Sequence, residues 1–352
     1  MPERSLRLLV PGDLDIRTGG YGYDREIVAG LRRRGWHVSV VTLTGGYPEP
    51  TAAECFAAEQ ALAAIPDEAI VLADGLAFGA LPFQAARERG RLRFVALVHH
   101  PLALETGLDP SAAARLRVQE QEALASARGV VVTSRRTVAA VEALGVPRER
   151  IAVVEPGTDV AAEARGSESR TLELLCVASL TPRKGHATLL AALASLGDLP
   201  WRLTCVGSVE RDPETFAELR RLCDVDPLRD RVRFAGELAG ADLDDAYDRA
   251  DLFVLPTLYE GYGMVVAEAL ARAIPVLSTP TGAIEDLVGD DAGLLVPAGN
   301  VAALTAALRQ LIADPHRLAA LRAGARLKRG LLPTWDAASA AMEAAIWSFV
   351  EP

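Results

Sequence analysis

Residues 256–277, PTLYEGYGMVVAEALARAIPVL, carry two glutamates, Glu260 and Glu268, across the junction of an apolar strand and an amphipathic helix. The strand is 251–256, DLFVLP, an apolar run ended by Pro256. A turn containing Gly261 and Gly263 follows, and then 264–272, whose apolar residues recur at helical spacing. Free N–H groups at a helix start, here those of Gly263, Met264 and Val265, form an anion site, and glycines let the backbone approach closely. One carboxylate precedes that site and the other lies about a turn inside the helix. An anion does not recruit carboxylates, so the glutamates read as acceptors for hydroxyls that flank a phosphate. The helix macrodipole alone also favours glutamates near a helix start. A position just after a buried strand, where open α/β sheets bind ligands, favours the functional reading.

A second junction lies at 174–197, LLCVASLTPRKGHATLLAALASLG. Here 174–178 reads as a strand, 179–182 as a turn, and 186–196 as a helix with Leu189, Leu190, Leu193 and Leu196 on one face. The turn leads into Arg183 and Lys184. Of the 37 basic residues only Lys184 and Lys328 are lysines, so a lysine at a strand–helix turn stands out in this arginine-dominated chain. A compact ammonium suits a phosphate oxygen as a point charge, whereas a planar guanidinium binds it differently. Lys328 reads as a solvated surface lysine. As a surface residue itself, Lys184 is expected to contribute little to stability.

In this set and order of motifs the sequence resembles the retaining family 4 glycosyltransferases of the GT-B fold. The resemblance rests on the glutamate pair Glu260 and Glu268, on Lys184 with Gly185 opening a helix, and on TGGYGYDREIVAGLRRRGWHVSVVTL (18–43) with Gly19 and Gly20. It extends through VVVTSRRT (130–137), VVEPGTD (153–159) and VRFAGEL (232–238), the last containing Gly236 near the expected nucleobase. The family usually has an arginine five residues before the lysine. Ser179 stands there, and Arg183 is the candidate to supply the missing charge. The resemblance implies an α/β chain of two doubly wound Rossmann-like domains facing across a cleft, with a C-terminal helix crossing back to the N-domain. It implies an acceptor-side domain over 1–162, a nucleotide-sugar domain over 171–334 and a terminal helix over 335–352. It also implies transfer of a hexosyl group from a UDP- or GDP-sugar, without a cofactor or a metal. Lys184, Glu260 and His99 would be catalytic, Glu268 would hold the ribose hydroxyls and Glu260 the donor sugar.

Length and composition agree with two domains, since 352 residues exceed what one core usually serves. A net charge of −10 argues against nucleic acid as a partner, because neutralising phosphates needs a basic face. Residues 1–160 hold 18 basic and 20 acidic groups, so most of the excess acid lies in the second half. Arg32, Arg33 and Arg34 read as the solvated, dipole-favoured end of a helix. The four cysteines show no metal-ligand spacing and fit buried thiols in a reducing cytoplasm. The start, MPERSLRLLVPG, lacks the apolar run of a signal peptide. Glu268 and Arg272 interrupt the longest apolar stretch short of the ~18 residues a membrane span needs. A soluble or at most peripheral protein is expected. The oligomeric state is not legible.

Strands are expected at 6–10, 37–43, 69–73, 94–99, 129–133 and 151–154, and again at 172–178, 201–206, 232–235, 252–255, 275–278 and 293–296. AAEARGSESR (161–170) reads as the linker and 333–350 as a terminal helix. In the first half Gly19 and Gly20 precede a helix expected near Tyr21, where backbone N–H groups could meet a phosphate or a sugar; an ordinary glycine turn is the plainer reading. His99 and His100 end an apolar strand just before Pro101, which suits ligand contact. By resemblance His99 meets the donor sugar, and Glu105 could reach the acceptor. Acceptor choice falls to loops 44–52 and 101–112. Asp13-Leu14-Asp15 has metal-binding spacing but reads as a turn.

A nicotinamide dehydrogenase is excluded, because Arg25 and Val266 stand where its third glycine belongs. A P-loop kinase is excluded for want of the upstream glycine loop. Rival readings are a GT-B nucleotide-sugar epimerase or phosphorylase, and a non-catalytic sugar-nucleotide-binding protein.

Overall fold

Strands of near-continuous Val, Leu and Ile are stable only when both faces are covered, and helical crossovers between parallel strands supply that cover. The computed structural model describes residues 4–105 and 107–351, and among them twelve such strands form two parallel six-stranded sheets. Met1 to Glu3 of the N-terminal stretch, Thr106 of the 101–112 loop and Pro352 of the terminal segment lie outside the described residues. The chain divides into two units, 1–157 with 333–352, and 158–332.

In the first unit the strands are β1 (Ser5–Pro11), β2 (His37–Leu43), β3 (Ile70–Asp74), β4 (Arg93–Val98), β5 (Gly129–Val132) and β6 (Ile151–Val153), ordered β2-β1-β3-β4-β5-β6. In the second they are β7 (Leu172–Val177), β8 (Trp201–Val206), β9 (Val232–Phe234), β10 (Leu252–Leu255), β11 (Val276–Ser278) and β12 (Gly293–Leu295), ordered β12-β11-β10-β7-β8-β9. Both sheets wind outward in two directions from their first strand. The order therefore reverses between β1 and β3, and between β7 and β10. Loops diverge at such a point and leave a crevice beyond the strands' carboxyl ends.

Each sheet has its own apolar core. In the first unit Leu9, Val71, Phe94, Val130 and Val132 are buried with Phe78 and Leu81. In the second, Leu175, Leu203, Phe253, Val254 and Leu277 are buried with Leu189, Leu193, Leu270 and Ile284. The twelve expected strands are all present, with ends shifted by a residue or so. The helix expected near Tyr21 begins at Gly19, because the Thr18 hydroxyl caps it by accepting from the Tyr21 N–H at 3.1 Å.

The terminal helix Trp335–Val350 belongs to the first unit and packs on the helix Gly19–Arg33. A Cβ at Gly30 would lie 1.8 Å from the Ser339 hydroxyl, so glycine is required for this approach. Trp347 packs on Trp36 with ring centroids 4.9 Å apart. Glu343 accepts from the Trp36 indole at 3.1 Å and from Arg34 Nε at 2.6 Å. Arg34 is thus not simply a solvated helix end: it pairs with a carboxylate shielded by the terminal helix.

Candidate active site

In the second unit the reversal between β7 and β10 brings together the two junctions that carry Lys184 and Glu260. Residues after β7 pass through Ser179 into a short turn of helix, Pro182–Lys184, and then into the helix His186–Ala194. Residues after β10 run through Thr257 to Gly263 and enter the helix Met264–Ala271. The two loops are bonded to each other. The Leu258 N–H and the Thr257 hydroxyl both donate to the Arg183 carbonyl, at 2.7 and 3.1 Å. Arg183 Nη1 in turn donates to the Tyr259 carbonyl at 3.0 Å.

Across this seam Lys184 Nζ donates to Glu260 Oε2 at 2.5 Å, with both side chains 15% exposed. The expectation that Lys184 is a surface residue of little structural weight is therefore corrected. It is mostly buried and paired, so its removal strands a carboxylate. Gly263 caps the helix in a left-handed conformation, and the Val266 and Ala267 N–H groups both donate to its carbonyl. The N–H groups of Gly263, Met264 and Val265 precede the first intrahelical bonds, which start with the Val266 and Ala267 donors.

Glu268 lies on the same helix, and its Oε2 accepts from the Tyr247 hydroxyl at 2.7 Å. Burial pushes its carboxyl up, opposed by that hydrogen bond and by Arg272. Gly236 follows β9, and its carbonyl accepts from the Gly207 N–H at 2.8 Å. It thus sits at the carboxyl edge of the same sheet. Arg183, Lys184, Glu260, Gly261, Gly263, Met264, Val265 and Gly236 lie in the loops and helix starts that follow strands of this one sheet, and Glu268 lies farther along the helix Met264–Ala271.

In the first unit His99 follows β4 and meets two carboxylates. Its Nε2 lies 3.2 Å from Asp24 Oδ1 and 3.6 Å from Asp74 Oδ2. The ring packs edge-on against Tyr23 with centroids 5.2 Å apart, and lies over Gly20. Burial pulls the His99 imidazole down, but the Asp24 charge, its hydrogen bond and Asp74 outweigh this and raise it. Asp74 ends β3 and caps the short helix Gly75–Phe78 through the Leu76 N–H at 2.8 Å. Burial and then Asp24 push its carboxyl up to about 7, against the pull of His99. Among the described residues Asp24, Asp74 and His99 are the one group whose donor atoms, within 4.8 Å of one another, could take a metal ion. His99 Nε2 faces both carboxylates there.

Gly19 has open space around its α-carbon. His100 Nε2 lies 3.7 Å from Glu105 Oε2. Asp13 accepts from the Asp15 N–H at 2.9 Å, the turn that its spacing suggested. Below the loop after β4, the buried Glu120 accepts from the Leu102 N–H at 2.9 Å. Burial pushes its carboxyl up to about 7 despite that bond. A carboxyl raised on folding adds stability below its unfolded value and loses it as pH climbs through the folded one. Between pH ~4.5 and ~7, Glu120 should therefore remove up to about 3 kcal/mol. Thermal unfolding of Glu120→Gln should match the parent at low pH and exceed it at pH 8. Parallel pH profiles for the two proteins would refute this.

Sequence reasoning missed Asp24, Asp74, Glu120 and Tyr247. Two of them left a trace. Asp24 interrupts the buried stripe of Tyr23, Ile27, Val28 and Leu31, and Asp74 ends an otherwise apolar strand.

The family model described as Glycosyl transferases group 1 matches residues 171–314, and that described as Glycosyltransferase Family 4 matches 68–162. The D-inositol 3-phosphate glycosyltransferase of Kineococcus radiotolerans is 33% identical over 257 residues, 64% of this chain and 58% of that protein. The one from Streptomyces bingchenggensis is 31% identical over 283 residues, 73% of this chain and 61% of that protein. The chain thus spans about three-fifths of the length of these relatives. Among solved structures, sucrose-phosphate synthase from Thermosynechococcus elongatus superposes with a TM-score of 0.81 at 22% identity over 97% of both chains. Anabaena HepE, solved with UDP and glucose, gives 0.76 at 18% identity over 96% of this chain and 98% of that one. The fold is that of the GT-B glycosyltransferases.

Proposed function

We propose that this chain, which belongs to the group 1 and family 4 glycosyltransferases, transfers a hexosyl group from a UDP- or GDP-sugar to a hydroxyl acceptor with retention of anomeric configuration. The observation that carries the reading is the seam between the β7 and β10 loops. It sets an ammonium, a carboxylate and a helix start side by side at the sheet's reversal point. In this reading the diphosphate lies at the helix start, held by Lys184 and the N–H groups of Gly263, Met264 and Val265, with Arg183 adding charge nearby. Glu268 accepts from the ribose hydroxyls and Glu260 from the donor sugar, while Gly236 borders the nucleobase.

As the bond from the anomeric carbon to the phosphate oxygen breaks, negative charge grows on the diphosphate. Lys184 and the helix start meet that charge, so no step is routed through a metal ion or a cofactor. The acceptor oxygen attacks from the same face, and its proton passes to the departing diphosphate. His99, held by Asp24 and Asp74, serves the donor sugar; His100, Glu105, Gly19 and Gly20 serve the acceptor side. The names of the curated relatives favour a polyol among possible acceptors. Among the described residues no helix is long and apolar enough to cross a membrane, and the four cysteines are free thiols. The reading places the enzyme in the cytoplasm, at most peripheral to a membrane.

Titration of two variants tests the roles. Glu268→Ala should weaken both nucleoside diphosphate and intact donor by about 1.5–3 kcal/mol, the worth of a charged acceptor. Glu260→Ala should weaken only the sugar-bearing ligand. It frees Lys184 for phosphate, so binding of nucleoside diphosphate alone should hold or tighten. Equal losses on the sugar-free ligand would show that the pair does not read two ends of one donor. Nucleotide binding without release of nucleoside diphosphate from any donor would favour a non-catalytic binder.

A further inference from the structure

Tyr247 is fully buried, yet its hydroxyl is spent on one partner, Glu268 Oε2 at 2.7 Å. Its ring has no room to turn away. Phe253 of β10 stacks on it at 6.3 Å and 21°, and the Arg272 guanidinium lies 4.5 Å from its centroid. Arg272 is itself anchored, donating to the Glu268 carbonyl at 3.2 Å and pairing with Asp244. A glutamate has three side-chain torsions and would otherwise sample many carboxylate positions. Here one oxygen is pinned from below, and the side chain remains partly exposed on the other side. Burial and the neighbouring Glu268 hold the Tyr247 phenol protonated, so it can act only as donor in this pair.

We propose that Tyr247 is a positioning residue that fixes the Glu268 carboxylate for ribose hydroxyls, and that the pair selects ribonucleotide over deoxyribonucleotide donors. The proposal rests on the reading of Glu268 given above. A site built to accept from a hydroxyl rejects the ligand that lacks it, because the oriented carboxylate is then left without its partner. Deoxyribonucleotide-linked sugars would share the diphosphate clamp and still be refused.

The test is calorimetric titration with UDP, GDP and their 2′-deoxy counterparts. The parent should prefer the ribonucleotide roughly tenfold or more, as expected for a hydrogen bond to a charged group. Tyr247→Phe keeps the ring and should reduce that preference about three- to tenfold, almost wholly by weakening the ribonucleotide. Glu268→Asp draws the carboxylate away from the phenol with Tyr247 intact, and should narrow the preference in the same way. In a Glu268→Gln background, Tyr247→Phe should change the preference no further.

Equal weakening of ribo- and deoxyribonucleotide by Tyr247→Phe would mark a purely structural residue and overturn the proposal. An additive effect in the Glu268→Gln background would do the same. Glu268→Ala separates the two levels of inference. Should it leave the preference intact, the ribose reading of Glu268 falls. Should it abolish the preference while Tyr247→Phe and Glu268→Asp do not alter it, only the role of Tyr247 falls.

Discussion

Lys184→Ala is expected to lose about a hundred- to a thousandfold in turnover, the usual cost of removing one preorganised donor from a site of developing charge. The loss should fall on kcat more than on KM, because the ammonium interacts most strongly once the diphosphate has begun to depart. The pairing with Glu260 adds a second effect. With the lysine gone, a carboxylate whose side chain is 15% exposed loses its 2.5 Å partner, which costs about 1–3 kcal/mol of stability. Activity loss could then be mistaken for partial unfolding. The double change Lys184→Ala with Glu260→Gln separates the two effects, since a neutral amide needs no counter-charge. It should recover most of the urea midpoint and none of the turnover. Near-normal kcat in Lys184→Ala, or recovered turnover in the double variant, would remove Lys184 from the chemistry.

What the chain reveals before folding follows from how local each signal is. Glu260, Gly263 and Glu268 occupy one strand-to-helix junction, where spacing along the chain determines spacing in space. Lys184 with Gly185 is legible for the same reason. That these two junctions meet is another matter: it depends on β10 pairing with β7 rather than with β9, and neither stretch states this. Pairs that form only across such contacts were invisible. Tyr247 lies 21 positions before Glu268, and Asp24 lies 75 before His99. A tyrosine on an amphipathic helix reads as core until its hydroxyl is found to end on a carboxylate. The burial of Lys184 is hidden from the sequence on the same ground. Lysines are mostly solvated, and only the partner from the neighbouring loop reveals this one to be otherwise.

Gly185 is where local signal and tertiary contact coincide, and Gly185→Ala should be strongly disruptive for a change of a single methyl group. Its φ of +73° is left-handed, which costs an alanine about 1–2 kcal/mol. A Cβ there would also lie 2.0 Å from the Pro256 carbonyl oxygen and 2.9 Å from its carbon. Both are backbone atoms at the end of β10, so no side chain can turn aside. Either the seam opens, breaking the bonds from Leu258 and Thr257 to Arg183, or the helix that follows Lys184 shifts. Overpacking of this kind adds about 1–3 kcal/mol, for a total near 2–5 kcal/mol. Gly90→Ala is the matched control, because its added methyl would meet nothing within 4 Å. Urea unfolding should show a large loss for the first variant and almost none for the second. Nucleoside diphosphate titrated under conditions where Gly185→Ala is still folded should bind far more weakly than to the parent, because the ammonium at position 184 and the helix start at 263 no longer converge on one phosphate. Unchanged binding with an unchanged midpoint would mean that the β7 and β10 loops need not be in register, and the seam would lose its place as the basis of the site.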